Sequence, residues 1–368
     1  SLVPSISKRG LRYDLTVPFA RYVVMNQNDI SFPFKRYQIQ PVWRADRPQK
    51  GRYQEFYQCD VDVVGSDSLS LEAELAKIYD EVFTKLGVKV IVKLNNRKVL
   101  AGMAEAAGIP KQFLSMTMAI DKLDKIGMDG VKKEMAERGI PEAAVAKIES
   151  MLAITELEEL ESVLASSETG KQGVQELQSV FDYLGLDETA NEIRFDITLA
   201  RGLNYYTGCI FEVAVDTGAA GQEKVKMGSI GGGGRYDELT EVFGMQGTSG
   251  VGISFGAERI YDVMEELNLF PEDKANTLQL LFIAFDEKAH RYAFRALQQV
   301  RAAGINAELY PDPVKLKKQM KYANNRNVPY TVLVGDREME TGELAFKNMA
   351  SGEQENLPLE KIISKLQN

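Results

Sequence analysis

The chain of 368 residues holds only two cysteines, Cys59 and Cys209, one histidine, His290, and one tryptophan, Trp43. Two thiols are too few for a disulfide framework or a cysteine zinc site, and they suit a reducing compartment. A single histidine excludes clustered-histidine metal sites and argues against a Ser-His-Asp triad. Chemistry therefore falls to Arg, Asp, Glu and Gln, and no metal site is assigned to protein side chains. His290, on a helix expected after Asp286, reads as an ordinary surface residue. No apolar run approaches the roughly 20 residues that cross a bilayer. Residues 1–10 carry Lys8 and Arg9 but no apolar signal core. The expectation is a cytoplasmic protein with no membrane partner.

What is present is a globular composition, 44% hydrophobic and 26% charged, at a length that suggests two or three domains. A net charge of −9 alone speaks against nucleic acid as a partner. The distribution speaks otherwise. Between Lys35 and Arg52 lie six basic residues against the single acid Asp46, and between Val314 and Asn327 five against none. Two such patches can meet phosphates on a chain that is acidic overall.

Residues 36–65 read as two strands joined by RADRPQKGR, the pattern of an antiparallel hairpin with a long loop. Apolar residues spaced by three and four over 69–86 predict a helix packed on a sheet, and Val88 to Leu94 alternates as a strand. Residues 97–185 are helical in character, broken at Gly108-Ile109-Pro110 and Gly139-Ile140-Pro141, and form an expected inserted subdomain. Strands are expected at Ile193–Leu199, Cys209–Asp216 and Val225–Ile230, and a strand-turn-helix unit over 250–267. Without βαβ spacing these make an antiparallel sheet rather than a dinucleotide-binding core. Beyond Pro271, strands and helices alternate, with a helix over Val314–Asn325, which predicts a separate α/β domain with a mainly parallel sheet. The expected boundaries are 1–96 with 186–270 for a core, 97–185 for the insertion and 275–368 for the last domain.

Strand parity groups Phe56, Gln58, Asp60 and Asp62 on one face, opposite Tyr57, Cys59, Val61 and Val63. With the apolar side inward, the polar side is either a wet surface or the floor of a polar cleft. Arg44, Arg52, Arg194, Arg201, Arg235 and Arg259 sit at expected strand ends or turns. Converging guanidinium forks suit a polyphosphate or an activated acyl group, while surface ion pairs are the plain alternative. GSIGGGGRYDEL lacks the Lys-Ser/Thr of a P-loop. Glycines on a strand would let a flat ligand approach, and a structural turn is equally compatible.

Several of these segments resemble one family. RYQIQPVWRADRPQKGRYQEFYQCDVDVVG is similar to motif 2 of histidyl-tRNA synthetases, and LRYDLTVPFARY to their histidine-binding segment. RGLNYYTGCIFEV resembles the motif peculiar to histidine enzymes, GVGISFGAERI motif 3 of class II synthetases, and residues 275–368 the anticodon-binding domain. The resemblance implies an α+β class II core with an antiparallel sheet, an inserted helical subdomain and an α/β anticodon-binding domain. It implies histidine activation by ATP with Mg2+, transfer to tRNA(His), and a homodimer.

Residue by residue, the resemblance gives Arg44 to the α-phosphate of ATP, and Arg52 and Arg259 to the outer phosphates. Phe56 and Arg259 would sandwich adenine, and Asp46 stands where many members have Glu. Asp14, Thr16 and Gln58 would hold the substrate ammonium, and Asp62 and Tyr206, beside Tyr205, its imidazole. Arg201 would bridge substrate carboxylate and α-phosphate, so that catalysis rests on Arg201 and Arg44. Gly231 and Gly232 would floor the pocket, and Lys317, Lys318 and Lys321 are offered as tRNA contacts. The family's motif 1, which builds its dimer interface, is expected before LRYDLTVPF, where this sequence has ten residues. The rival from another class is a paralogue acting as regulatory subunit of ATP phosphoribosyltransferase. The arginine of RGLNYYTG and the last 94 residues argue against it.

Overall fold

The computed structural model describes residues 7, 10–185, 188–200, 205–270 and 278–367. The chain divides into two units, Ser1–Leu269 and Phe270–Asn368, and the helical stretch after residue 97 belongs to the first.

The first unit opens with α1 (Thr16–Met25), which sequence reading missed; Pro18 is tolerated in its first turn, where its missing N–H leaves no bond unmade. The hairpin follows as β1 (Phe34–Trp43) and β2 (Glu55–Val64), antiparallel with Gln40 opposite Gln58 and Arg36 opposite Asp62. Helix α2 (Ser70–Leu86) buries Leu71, Leu75, Tyr79 and Phe83, with Glu72 and Ala76 beside them. Next come β3 (Val90–Asn96), the helices α3 (Arg97–Ala106), α4 (Phe113–Ile120), α5 (Leu123–Glu137), α6 (Glu142–Leu152), α7 (Leu157–Val163) and α8 (Glu168–Leu184), and β4 (Glu192–Phe195). Helices stop ahead of both Gly-Ile-Pro breaks, where Gly108 and Gly139 take φ of 76° and 79°.

Strands β5 (Cys209–Val215), β6 (Gly231–Arg235) and β7 (Gly250–Gly256) complete a seven-stranded sheet in the order β1-β2-β7-β6-β5-β3-β4, and α9 (Ala257–Glu266) follows β7. All its pairings are antiparallel except β3 with β4. Two strand expectations fail. Asp196 turns the chain by accepting from the Thr198 backbone, so β4 ends at Phe195. Val225–Ile230 is not a strand; the ladder runs through the four glycines. There β6 lies between β5 and β7, and a Cβ on Gly233 would stand 2.2 Å from Gly252 O. Only a residue without a side chain passes that point.

The two faces of this sheet differ in kind. One carries Phe255, Ile253, Phe211, Val213, Val92 and Leu94 against the helices, forming the main core. The other carries Arg36, Gln58, Asp60, Asp62, Ser254 and Gly232, which cross-strand pairing brings side by side.

The second unit is a five-stranded sheet in the order β12-β11-β10-β8-β9. In chain order it contains β8 (Leu280–Ala284), α10 (Glu287–Ala302), β9 (Ala307–Leu309), α11 (Leu316–Asn325), β10 (Tyr330–Val334), α12 (Asp336–Thr341), β11 (Glu343–Asn348), β12 (Gln354–Pro358) and α13 (Leu359–Gln367). β8 is parallel to β9 and β10, and its five residues are all buried because apolar clusters cover both faces. β11 and the unanticipated β12 are antiparallel, so the sheet is mixed rather than mainly parallel. The connections into β11 and β12 are too short for the crossover that a parallel strand requires. His290 is half-buried, its Nε2 3.2 Å from Tyr310 O, rather than a plain surface residue.

Candidate active site

A cleft of about 240 Å3 lies along the polar face of the large sheet, lined among others by Arg44, Asp46, Arg52, Phe56, Gln58, Gly231, Gly232, Ser254, Glu258 and Arg259. Hairpin geometry brings the first five together: Arg44 leaves the end of β1, Asp46 and Arg52 lie in the loop, and Phe56 and Gln58 share one face of β2. The Arg44 guanidinium sits 4.9 Å from the Phe56 ring centre and 4.5 Å from that of Tyr13. Its Nε donates to Tyr13 O at 3.2 Å, and a terminal N–H to Gln58 Oε1 at 3.4 Å. Arg259, in the first turn of α9, donates to Gly51 O and Ser229 O, both at 2.6 Å, which ties the hairpin loop to the segment before β6. Arg52 and Asp46 are exposed at the mouth. Glu258, which sequence reading passed over, accepts from Tyr57 N at 2.7 Å through Oε1, and its buried Oε2 has no hydrogen-bond partner.

Deeper along the same face the polar groups are buried. Gln58, Asp60 and Asp62 are 8%, 2% and 1% exposed, whereas Tyr37, Ile39 and Tyr57 on the opposite side of the hairpin are exposed. The polar face is thus the covered one at this edge of the sheet. Asp62 is clasped by Arg36 at 2.9 Å and by the Tyr236 hydroxyl, which donates at 2.6 Å. Arg36 in turn stacks 4.2 Å over Phe19 of α1. Burial pushes the Asp62 carboxyl up to about 6 against the pull of Arg36, and burial with the nearby Asp62 charge pushes Asp60 up to about 7. Asp14 is buried, its Oδ1 accepting from Val17 N at 3.1 Å, and burial raises its pKa too.

Tyr205 and Tyr206 stack edge-on at 4.9 Å, and Tyr205 also hydrogen-bonds Thr16. Burial raises both phenols, so both stay protonated donors. Tyr206 packs under Gly234, where a Cβ would meet its ring at 2.7 Å. Gly231 and Gly232 both line the cleft on opposite sides of β6: a Cβ on Gly231 would strike the Tyr79 ring, while Gly232 floors the polar side.

Of the six arginines singled out, Arg44, Arg52 and Arg259 meet at this cleft. Arg235 does not; it is buried in an ion pair with Glu72 of α2, where its fork serves the fold. Arg194 pairs with Glu192 on β4, in a separate groove. Arg201 lies outside the described residues. Lys317, Lys318 and Lys321 are exposed on α11, whose buried Gln319 bonds both backbone groups of Ala284.

Comparison with known proteins gives the family. The family model described as histidyl-tRNA synthetase matches residues 3–260, and that of the anticodon binding domain residues 279–368. The chain belongs to the histidyl-tRNA synthetase family. A histidine–tRNA ligase of Bacteroides fragilis (strain YCH46) is 56% identical over 99% of this chain and 80% of its own length. The crystal structure of histidyl-tRNA synthetase from Nostoc sp. PCC 7120 superposes with a TM-score of 0.78 at 31% identity, over 97% of this chain and 83% of that one. An ATP phosphoribosyltransferase regulatory subunit/histidyl-tRNA synthetase from Bacillus halodurans C, at 18% identity and TM-score 0.67 over 85% of this chain and 77% of that one, shares the fold alone. The α+β class II architecture with a C-terminal anticodon-binding domain is therefore that of this synthetase family. Among the described residues no helix is long and apolar enough to cross a membrane.

Proposed function

We propose that this chain activates L-histidine with ATP to histidyl-adenylate and transfers the histidyl group to the 3′ end of tRNA(His). The observation that carries the reading is one continuous polar face. It begins at a cleft with three arginines and Phe56 and ends among the covered polar groups Gln58, Asp14 and Asp62, with the Tyr205–Tyr206 pair. Flat, polyanionic ATP suits the first part and a small dipolar amino acid the second.

The substrate carboxylate is already a nucleophile at neutral pH, so adenylate formation needs alignment and charge neutralisation rather than a general base. Arg44, held between Tyr13 and Phe56, faces the α-phosphate; Arg52 and Arg259 take the outer phosphates, and Arg259 and Phe56 the two sides of adenine. Asp46, at the mouth, would accept from the adenine amine. The pocket takes the ammonium on Asp14, Thr16 and Gln58. Tyr206 and Asp62 take the imidazole, with Asp62 kept in place by Arg36 and Tyr236. Arg201 completes the set by bridging the two reacting groups. When bound with ATP, Mg2+ would neutralise phosphate charge, and the unpartnered Glu258 Oε2 is the cleft oxygen that fits it. In the second step a ribose hydroxyl of the terminal adenosine attacks the acyl carbon and AMP leaves. Exposed lysines of α11 offer phosphate contacts for the tRNA, and the working form is a cytoplasmic homodimer.

The retained arginine cleft and the match of residues 279–368 to an anticodon binding domain disfavour a purely regulatory role. Histidine-dependent exchange of labelled pyrophosphate into ATP tests the reading. Exchange should collapse at least a hundredfold in Arg44→Ala or Arg201→Ala, the order expected for losing one charge stabiliser. Exchange indifferent to histidine, or undiminished in both variants, would refute it.

A further inference from the structure

The Gln58 amide has two ends of nearly equal shape and opposite hydrogen-bonding sense, so something must decide which faces the pocket. The neighbours supply a directed chain. Asp60 on β2 and Ser254 on β7 are cross-strand partners, so the Ser254 hydroxyl stands beside a carboxyl that can take its proton. Turned that way, Ser254 Oγ is left as an acceptor, and it takes Gln58 Nε2 at 3.0 Å. Gln58 Nε2 also lies 3.4 Å from Asp60 Oδ1. Both Nε2 hydrogens thus point toward the sheet, and Oε1 points outward toward Arg44. When ionised, Asp60 can only accept from its neighbours, which makes it the fixed end of this chain. Ala or Gly at position 60 would leave Ser254 free to donate to Gln58 instead, with Nε2 turned outward against a cation.

We propose that Asp60 is a positioning residue for substrate histidine: acting through Ser254, it fixes the Gln58 amide so that Oε1 is presented to the substrate ammonium. This rests on the adenylation reading above and adds to it a residue that touches no substrate. It predicts a selective effect, because the chain ends at the ammonium site and reaches neither adenine nor the outer phosphates.

The test is pyrophosphate exchange by the full chain with histidine and ATP varied separately. Asp60→Ala and Ser254→Ala should each raise KM for histidine about tenfold, the cost of one misdirected hydrogen bond to a charged group, with KM for ATP within about twofold of the parent. Adding Gln58→Glu to Asp60→Ala should recover most of the histidine KM, since Glu presents an oxygen whichever way it turns. A role confined to supporting the fold would not be rescued this way. The proposal is overturned by an unchanged histidine KM in both single variants, by parallel rises in both KM values, or by failure of Gln58→Glu to rescue. A parent chain without histidine-dependent exchange would instead sink the adenylation reading itself.

Discussion

Glu72 and Arg235 form a buried ion pair whose loss can be worked out in advance. Glu72, on α2, is wholly buried, and the Arg235 side chain at the end of β6 is 7% exposed. Arg235 meets both carboxylate oxygens, one of them at 2.6 Å, and also donates to Ser66 O, Ser68 O and Ser249. Burial raises the Glu72 pKa even against the Arg235 charge, a sign that desolvation of the carboxylate is the larger effect. Replacing Glu72 with Ala leaves a guanidinium that cannot discharge itself, buried with two acceptors gone. Unpairing a buried charge in this way costs roughly 3–5 kcal/mol. For a unit of this size that lowers the melting temperature on the order of 10 °C. Glu74, two residues along the same helix, is the control: it pairs with Lys35 at 2.6 Å, but the two side chains are 48% and 53% exposed. An exposed pair contributes about 0–1 kcal/mol. Urea unfolding followed by Trp43 fluorescence reports on this unit, since the only tryptophan lies on β1. Equal midpoint shifts for Glu72→Ala and Glu74→Ala would refute the reasoning.

Two glycines of β6 separate packing from function. Gly233→Ala, with its Cβ 2.2 Å from Gly252 O and 2.7 Å from Ile253 Cα, should cost upward of about 3 kcal/mol or abolish soluble expression. Gly232→Ala meets only Phe211 O at 3.3 Å, so it should fold with a near-parental urea midpoint yet lose exchange activity as its methyl enters the cleft. The Asp60 carboxyl, pushed up from 3.8 to about 7, favours the fold when protonated, so its contribution is lost as pH rises through that interval. Asp60→Asn should therefore gain stability over the parent between pH 4 and pH 8, and a constant difference across that range in urea midpoints would contradict the assignment. The triple variant Lys317→Ala, Lys318→Ala, Lys321→Ala should weaken tRNA charging and flatten its salt dependence while leaving pyrophosphate exchange intact; unchanged affinity and slope would remove α11 from the tRNA surface.

What sequence reading saw well was whatever depends on neighbours along the chain. Parity placed Phe56, Gln58, Asp60 and Asp62 on one face of β2, and the helix breaks at Gly108 and Gly139 fell where those residues adopt positive φ. What it could not see was which face would be covered. An apolar side is expected inward, yet Tyr37, Ile39 and Tyr57 are exposed while Asp60 and Asp62 are buried. The reversal is stable because the polar face meets partners far away in sequence: Arg36 and Tyr236 for Asp62, Ser254 for Gln58. Burying a polar group is tolerable when its hydrogen bonds are replaced, and hydrophobicity alone does not record whether they are. The arginines carry the same lesson. Arg235 ends one glycine-rich strand and Arg259 follows another, and nothing local tells them apart. One meets the carboxylate of Glu72, 163 residues earlier, and its charge is consumed in the fold. The other donates to the backbone carbonyls of Gly51 and Ser229 at the cleft. That difference in partners, set by residues far along the chain, separates an arginine that serves the fold from one that lines the cleft.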